Sequence, residues 1–279
     1  MNKGYLTLAQ NGTHDYVRMA YVLAMSLKLS QGPDAKLSVI VNENEEIPSN
    51  YLYMFDKIIK VPVPEDEWKI QNKWMYFDLT PYDETIVLDA DMLFLTNHDW
   101  WWDFCFIDDL LFCERALNFK GVETDSDYYR KVFTENSLPN HYTALFYFKK
   151  NKENEKYFQL VRLIFENWKE WYNHILKNPP KHVSGDVVYS MASKIMFRNN
   201  MKAISPFMRL VHMRNKLQDS KLSGDWTKTL RCDFINQEHN ILLKVNNIVQ
   251  EYPFHYIEKS FLTDEVVMLY EEKMLRLLR

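Results

Sequence analysis

Glycine is scarce in this chain, with six in 279 residues. Neither a Walker-type loop nor a Gly-x-Gly-x-x-Gly turn occurs, so any phosphate site has to be built from side chains or a metal. Cysteine is scarcer still. Cys105, Cys113 and Cys232 show neither metal-ligand spacing nor a paired framework, which points to a reducing, cytoplasmic setting. No apolar run reaches the 18 residues of a membrane span, and no signal-peptide core opens the chain, so a soluble protein without membrane insertion is expected. In that setting the sequon spelled by Asn11-Gly12-Thr13 carries no meaning. The net charge of −4 is small and, taken whole, speaks against a nucleic-acid binder. Repeats, low-complexity runs and linkers are missing as well, so one domain over 1–279 is expected.

What the chain does have is ample core material, 47% hydrophobic with 15% aromatic. Residues 4–10 read as a strand. Residues 16–29 read as an amphipathic helix capped by Asp15, with Val17, Ala20, Leu23, Ala24 and Leu27 at helical spacing. Strands at 36–41 and 58–61, a helix at 72–79 and a strand from Ile86 continue a β-α-β-α-β rhythm. That rhythm implies an α/β fold with a mostly parallel sheet and flanking helices. Further strands are expected at 110–113 and 142–149. One long amphipathic helix is expected over 153–176, burying Trp168, Trp171 and Tyr172, and another opens at Gly185-Asp186 and runs to Lys194. Residues 241–250 read as a hairpin turning on Asn246-Asn247, extended by 252–257 and closed by a helix over 264–278. Trp100, Trp101 and Trp102 are expected to pack beneath a loop.

The stretch that organises the rest is Ile86 to Leu95, an apolar, β-branched run read as a buried strand but interrupted by Asp89 and Asp91. A spacing of two in an extended chain turns both carboxylates to one side. Two bare carboxylates in a buried strand repel and lose hydration, at a cost of several kcal/mol unless something compensates. A divalent cation relieves both at once, and hard oxygen ligands suit Mg²⁺ or Mn²⁺. The plain alternative is a strand end where both acids meet water. In parallel sheets ligands collect at the carboxyl ends of strands, where these acids fall.

These pieces resemble the glycogenin-like retaining glycosyltransferases, family 8 of the GT-A fold. The likeness rests on Thr7-Leu8-Ala9-Gln10-Asn11 followed by Tyr16, on Lys73 placed 16 residues before the acid of Leu88-Asp89-Ala90-Asp91, and on Gly185-Asp186, Ser205-Pro206-Phe207 and Phe254-His255-Tyr256 with Lys259. It implies a Rossmann-like GT-A domain with a C-terminal hairpin and helix, its nucleotide-sugar half over about 1–115 and its acceptor half over about 116–279. It implies a metal held by Asp89, Asp91 and His255, with His212 as the alternative third ligand. It implies a UDP-sugar donor whose base is cradled by Leu8, Gln10, Asn11 and Tyr16, with Lys73 reaching the sugar or its phosphate and Lys259 the diphosphate. Asp186 would work near the anomeric carbon or the acceptor hydroxyl. The chain departs from the family where Tyr142-Thr143-Ala144 replaces Asn-x-Gly, where Val187 replaces a glutamine, and where His255 and Lys259 stand four rather than six apart.

Residues 194–231 hold nine basic side chains (Lys194, Arg198, Lys202, Arg209, Arg214, Lys216, Lys221, Lys228, Arg231) against Asp219 and Asp225. That is a local +7, which leaves −11 for the remainder. Such a segment is either a solvated face or the seat of an anionic polymer. Together with the resemblance it implies a metal-dependent, retaining glycosyltransferase whose acceptor is a hydroxymethylated base, hydroxymethylcytosine, in duplex DNA, as for phage-type sugar transferases. The alternatives are a transferase acting on a glycan or lipopolysaccharide core, and a non-catalytic nucleic-acid-binding protein on the same scaffold. A Mg²⁺-dependent phosphoryl or nucleotidyl transferase also uses paired acids, but it lacks its phosphate loop here.

Overall fold

The computed structural model describes residues 2–62, 69–123, 130–197, 204–218, 222–238 and 240–277. It opens with strand β1 (Lys3–Leu8), helix α1 (Tyr16–Gln31), β2 (Leu37–Asn42) and β3 (Lys57–Val61). The Asp15 side chain accepts the Arg18 N–H at 2.8 Å and so caps α1. Between Val17 and Leu27 every residue but Arg18 is buried. The helix is therefore internal rather than amphipathic, packed between a sheet and the C-terminal helix.

A 3₁₀ stretch (Lys69–Met75) runs into a single α turn, α2 (Tyr76–Leu79), where one helix was expected. Then come β4 (Glu84–Asp89), β5 (Met92–Leu93), β6 (Leu110–Cys113), β7 (Arg115–Leu117), α3 (Lys131–Glu135) and β8 (Tyr142–Lys149). Helices α4 (Lys152–Glu166) and α5 (Trp168–Ile175) replace the expected single helix, because Asn167 leaves helical geometry at φ −126°, ψ 31°. Of the three aromatics expected inside α5, Tyr172 is buried and Trp168 and Trp171 are half-buried. Helix α6 (Gly185–Phe197), strands β9 (Arg209–His212), β10 (Cys232–Asn236), β11 (Ile241–Val245), β12 (Ile248–Val249) and β13 (Phe254–His255), and helix α7 (Asp264–Leu277) complete the order.

The main sheet runs β3-β2-β1-β4-β8-β6. Its first four strands are parallel, and β8 pairs antiparallel with both β4 and β6. Both faces are covered, so the strands read as continuous apolar runs rather than alternating ones. Tyr5, Ile86 and Leu88 enter the core shared with α1, whereas Leu6, Val87 and Phe146 enter the core shared with α4 and α6. A hairpin sheet, β10-β11-β12, turns on Asn246 and Asn247 at φ 46° and 66°, the left-handed pair that a two-residue turn needs. Trp101 and Trp102 pack inside, whereas Trp100 stays 43% exposed.

A second sheet, β5-β13-β9-β7, was not foreseen, since two of its strands hold only two residues. It changes the reading of 86–95. The run is two strands, with β4 ending at Asp89 and a turn at Ala90-Asp91 before β5 joins the other sheet. It also claims Phe254 and His255, so 252–257 does not extend the hairpin. Among the described residues no helix is long and apolar enough to cross a membrane.

Candidate active site

The transition between the sheets builds the site. Leu8 and Asp89 are register partners at the carboxyl ends of parallel β1 and β4, where a cleft opens in sheets of this kind. One turn later β5 pairs with β13, which sets His255 against Met92 and so beside Asp91. On its other side His255 is the register partner of His212. The result is a cavity of about 340 Å³ with Leu8, Gln10, Tyr16, Lys73, Asp89 and Asp91 on its walls. Asp186, His212, Arg214, His255, Ile257 and Lys259 complete those walls, so both halves of the chain contribute.

Asp89, Asp91 and His255 each present one ligand atom, all within 4.8 Å of one another. His255 Nε2 lies 3.2 Å from Asp91 Oδ1 and 4.0 Å from Asp89 Oδ2. Two carboxylate oxygens and an imidazole nitrogen form a donor set of the kind that holds a divalent metal ion. His212 stands behind: its Nδ1 faces His255 Nδ1 at 3.1 Å, which leaves His255 Nε2 for the acids. Burial, then His255 and Arg214, push the His212 imidazole well below its usual range.

The two acids are not bare. Lys73 Nζ donates to Asp89 Oδ1 at 2.6 Å, and Lys259 Nζ donates to Asp91 Oδ2. The repulsion inferred from the sequence is thus relieved by two lysines that arrive from distant segments. Burial works against charge at both places, yet the pairs win. The Asp89 carboxylate lifts Lys73 above the usual lysine range, and His255 with Lys259 holds Asp91 well below the usual carboxylate range. Lys259 and His255 both reach the cavity although only four residues apart, because Ile257 takes φ +61° in a tight turn closed by Glu258 N–H on Tyr256 O at 2.6 Å. A β-branched residue in that region is strained, and the strain sits in the wall of the site.

The remaining residues singled out in the sequence divide. Tyr16 lines the cavity half-buried, with Lys259 Nζ 5.2 Å from its ring centroid. Gln10 is buried and accepts from Asn72 Nδ2 at 3.1 Å. Asn11 is not among the residues that line the cavity and instead ties two loops together: its Oδ1 accepts the Val17 N–H at 3.0 Å and its Nδ2 donates to Glu45 at 2.8 Å. Asp186 lies in the first turn of α6 and takes three hydrogen bonds, from Thr143 N–H at 2.9 Å, Thr143 Oγ1 at 2.7 Å and Arg130 Nη1 at 2.7 Å. A Cβ at Gly185 would lie 3.1 Å from Thr143 Oγ1, a tight contact that the hydroxyl would have to yield to by a few tenths of an ångström. Sequence reasoning missed Arg130, which no local pattern marks, and gave Thr143 no role although it is the middle residue of Tyr142-Thr143-Ala144, where the family pattern is broken.

Of the basic segment, Arg198, Lys202, Lys221 and the acid Asp219 lie outside the described residues. Lys194 donates to Asn136 O and Arg231 pairs with Asp233 at 2.9 Å. Within the segment, Arg214 is the described cation that lines the cavity.

A doubly covered, mostly parallel sheet with an acid–acid–histidine cleft at its strand ends defines the class: a mixed α/β fold. More particularly, the fold is that of the GT-A glycosyltransferases. A structure of an active-site mutant of LgtC matches over 98% of this chain and 95% of its own, with a TM-score of 0.51 at 12% identity. Mouse xyloside xylosyltransferase 1 matches 70% of this chain and 82% of its own, with a TM-score of 0.45 at 12% identity. The glycosyltransferase GlyE of Streptococcus pneumoniae matches 71% of this chain, with a TM-score of 0.43 at 14% identity, and the match spans 44% of GlyE. No protein-family model matches the sequence, and no curated protein does.

Proposed function

We propose that this chain is a metal-dependent glycosyltransferase that moves a sugar from a nucleoside diphosphate donor to an acceptor hydroxyl, acting as a single domain over 1–279. The observation that carries the reading is the convergence of Asp89, Asp91 and His255 at the strand-end cleft of a fold matched from end to end by a glycosyltransferase structure. In this reading the bond from the anomeric carbon to the diphosphate breaks and a bond to the acceptor oxygen forms. The proton lost by the acceptor hydroxyl leaves on the diphosphate. Asp89, Asp91 and His255 would hold a divalent cation, which when bound would supply positive charge to that leaving group. Lys73 and Lys259, paired with the same acids, are placed to turn their ammonium groups to the phosphates. Tyr16, Asp186 and Arg214 line the same cavity; in this reading Tyr16 offers its ring face to the base, and Asp186 and Arg214 serve the acceptor.

The resemblance in sequence favours UDP as the nucleotide and retention of configuration, and the three cysteines, which show no paired framework, favour a cytoplasmic setting. The local +7 over residues 194–231, with Arg214 on the cavity wall, favours an anionic acceptor, and hydroxymethylcytosine in duplex DNA is the one we propose. A glycan acceptor is the second reading, supported by the same hydroxyl chemistry. Mass spectrometry of products, from a panel of UDP-sugars offered with hydroxymethylcytosine DNA and with oligosaccharides, tests both. A hexose or pentose mass added to the DNA supports the first, addition to sugar alone supports the second, and neither transfer nor donor hydrolysis with any UDP-sugar removes the enzyme reading.

A further inference from the structure

Arg130 is 3% exposed and has no place in the donor chemistry above. Its guanidinium carbon lies 3.8 Å from the Phe133 ring centroid and 4.0 Å from that of Tyr142, so the plane is clamped between two aromatic faces. In that plane Nη1 donates to Asp186 Oδ2 at 2.7 Å and Nη2 donates to the His141 carbonyl. An arginine fork held on both faces and along its edge aims one charge at one place. That place is a carboxylate whose other oxygen, Oδ1, already takes two hydrogen bonds from Thr143. Asp186 still keeps 28% of its side chain accessible and lines the cavity.

We propose that Arg130 is a positioning residue that holds Asp186 as a permanently ionised, fixed carboxylate at the reacting end of the cavity. This rests on the glycosyltransferase reading and says which of three roles a carboxylate takes there. A nucleophile has to swing one oxygen to the anomeric carbon, and each Asp186 oxygen is tied by at least one charge-assisted or backbone donor. A general base works best with a pKa near the operating pH. Burial opposes the Asp186 charge, but Arg130, the two Thr143 donors and Lys73 outweigh it and hold the carboxyl well below the usual range. What remains is a fixed negative charge that steadies a cationic sugar centre. The other titratable groups that sense this charge are His141, His212, Cys113 and Tyr172. Both imidazoles are pushed down from their usual range, and Cys113 is pushed up to about 12. None of these four supplies Asp186 with a proton near neutral pH.

The test is a carboxyl-carbon NMR titration of the full-length chain, with Asp186→Asn used to assign the resonance. In the wild type the Asp186 signal stays in its ionised position from pH 8 down to pH 4. In Arg130→Met its midpoint rises by about one to three pH units and enters that window, the size expected when an adjacent arginine is removed. Arg130→Lys, which keeps charge but loses the clamped fork, falls between. Thr143→Val keeps the shape, loses the hydroxyl donor and raises the midpoint by less, and it serves as the test if Arg130→Met does not fold. A wild-type midpoint above pH 4, or identical curves in wild type and variants, overturns the proposal. Binding of UDP with Mn²⁺, measured by calorimetry on the wild-type sample, reports the donor site separately. Its absence removes the glycosyltransferase reading while the Arg130–Asp186 titration still stands or falls alone.

Discussion

Lys259 pairs with the flank of Asp91 that a bound cation would also neutralise, so replacing it should have opposite effects on stability and on metal affinity. The Lys259 side chain is 17% exposed and that of Asp91 is 10%. Breaking a fully buried pair costs about 3–5 kcal/mol because the surviving charge is stranded. Here His255 stays 3.2 Å from Asp91 and some solvent reaches the pair, so about 2 kcal/mol is the better figure for Lys259→Met. At about 2–4 °C per kcal/mol for a chain of this size, the apo protein should melt about 4–8 °C lower. The same change removes the ammonium that Mn²⁺ has to displace, so Mn²⁺ alone should bind the variant about tenfold more tightly or better. UDP in saturating Mn²⁺ should bind it more weakly, because one phosphate partner is gone. Differential scanning fluorimetry of chelator-treated protein, titrated with Mn²⁺ and then UDP, reads all three. A Mn²⁺-induced rise in melting temperature no larger in Lys259→Met than in wild type would refute the view that lysine and cation share this flank.

Gly185→Ala brings a methyl to 3.1 Å from Thr143 Oγ1 and should weaken the Thr143 hydroxyl bond to Asp186, lowering turnover by about two- to tenfold while UDP–Mn²⁺ affinity changes little; steady-state kinetics and calorimetry separate the two. His141 is fully buried, its Nε2 2.9 Å from Ser193 Oγ, with Glu114 3.6 Å away and Arg130 close by. Burial first, then Arg130, push its pKa down to about 3. The folded chain therefore binds that proton less readily than the unfolded one. The stability this group contributes is full above about pH 6.5 and drains away as pH falls toward 3. His141→Gln should flatten the decline in stability between pH 6.5 and pH 5 by about 1–2 kcal/mol in urea melts. Asn247→Gly, at φ 66° in the hairpin turn, should raise stability by about 0.5 kcal/mol, and an unchanged urea midpoint would count against the turn geometry.

Much of this fold is local in the sequence. The Asp15 cap, the strand–helix alternation through Asp89 and the Asn246-Asn247 turn each announce themselves within a few residues. The acid pair was visible too, because a carboxylate inside an apolar run is costly wherever it falls. What was invisible is what long-range pairing decides. Strands β5 and β13 hold two residues each, too few for any period, yet they carry His255 to Asp91 and break the 86–95 run in two. The break at Asn167 hid for a different reason, since apolar spacing continues through it while the backbone does not. Lys73 and Lys259 were noticed as phosphate ligands, but their pairing with the acids depends on side-chain reach across the cleft. Arg130 sits in a polar stretch with no periodicity at all, and only the tertiary fold aims it at Asp186.

The central claim is that Asp89, Asp91 and His255 form a cation site that also grips a nucleotide's diphosphate. Isothermal titration of UDP into the chelator-treated wild-type chain, with and without Mn²⁺, and into Asp91→Ala with Mn²⁺, addresses it most directly. The account predicts binding that needs Mn²⁺ and is lost in Asp91→Ala. Equal affinity with and without the metal, or binding unchanged in the variant, would contradict it.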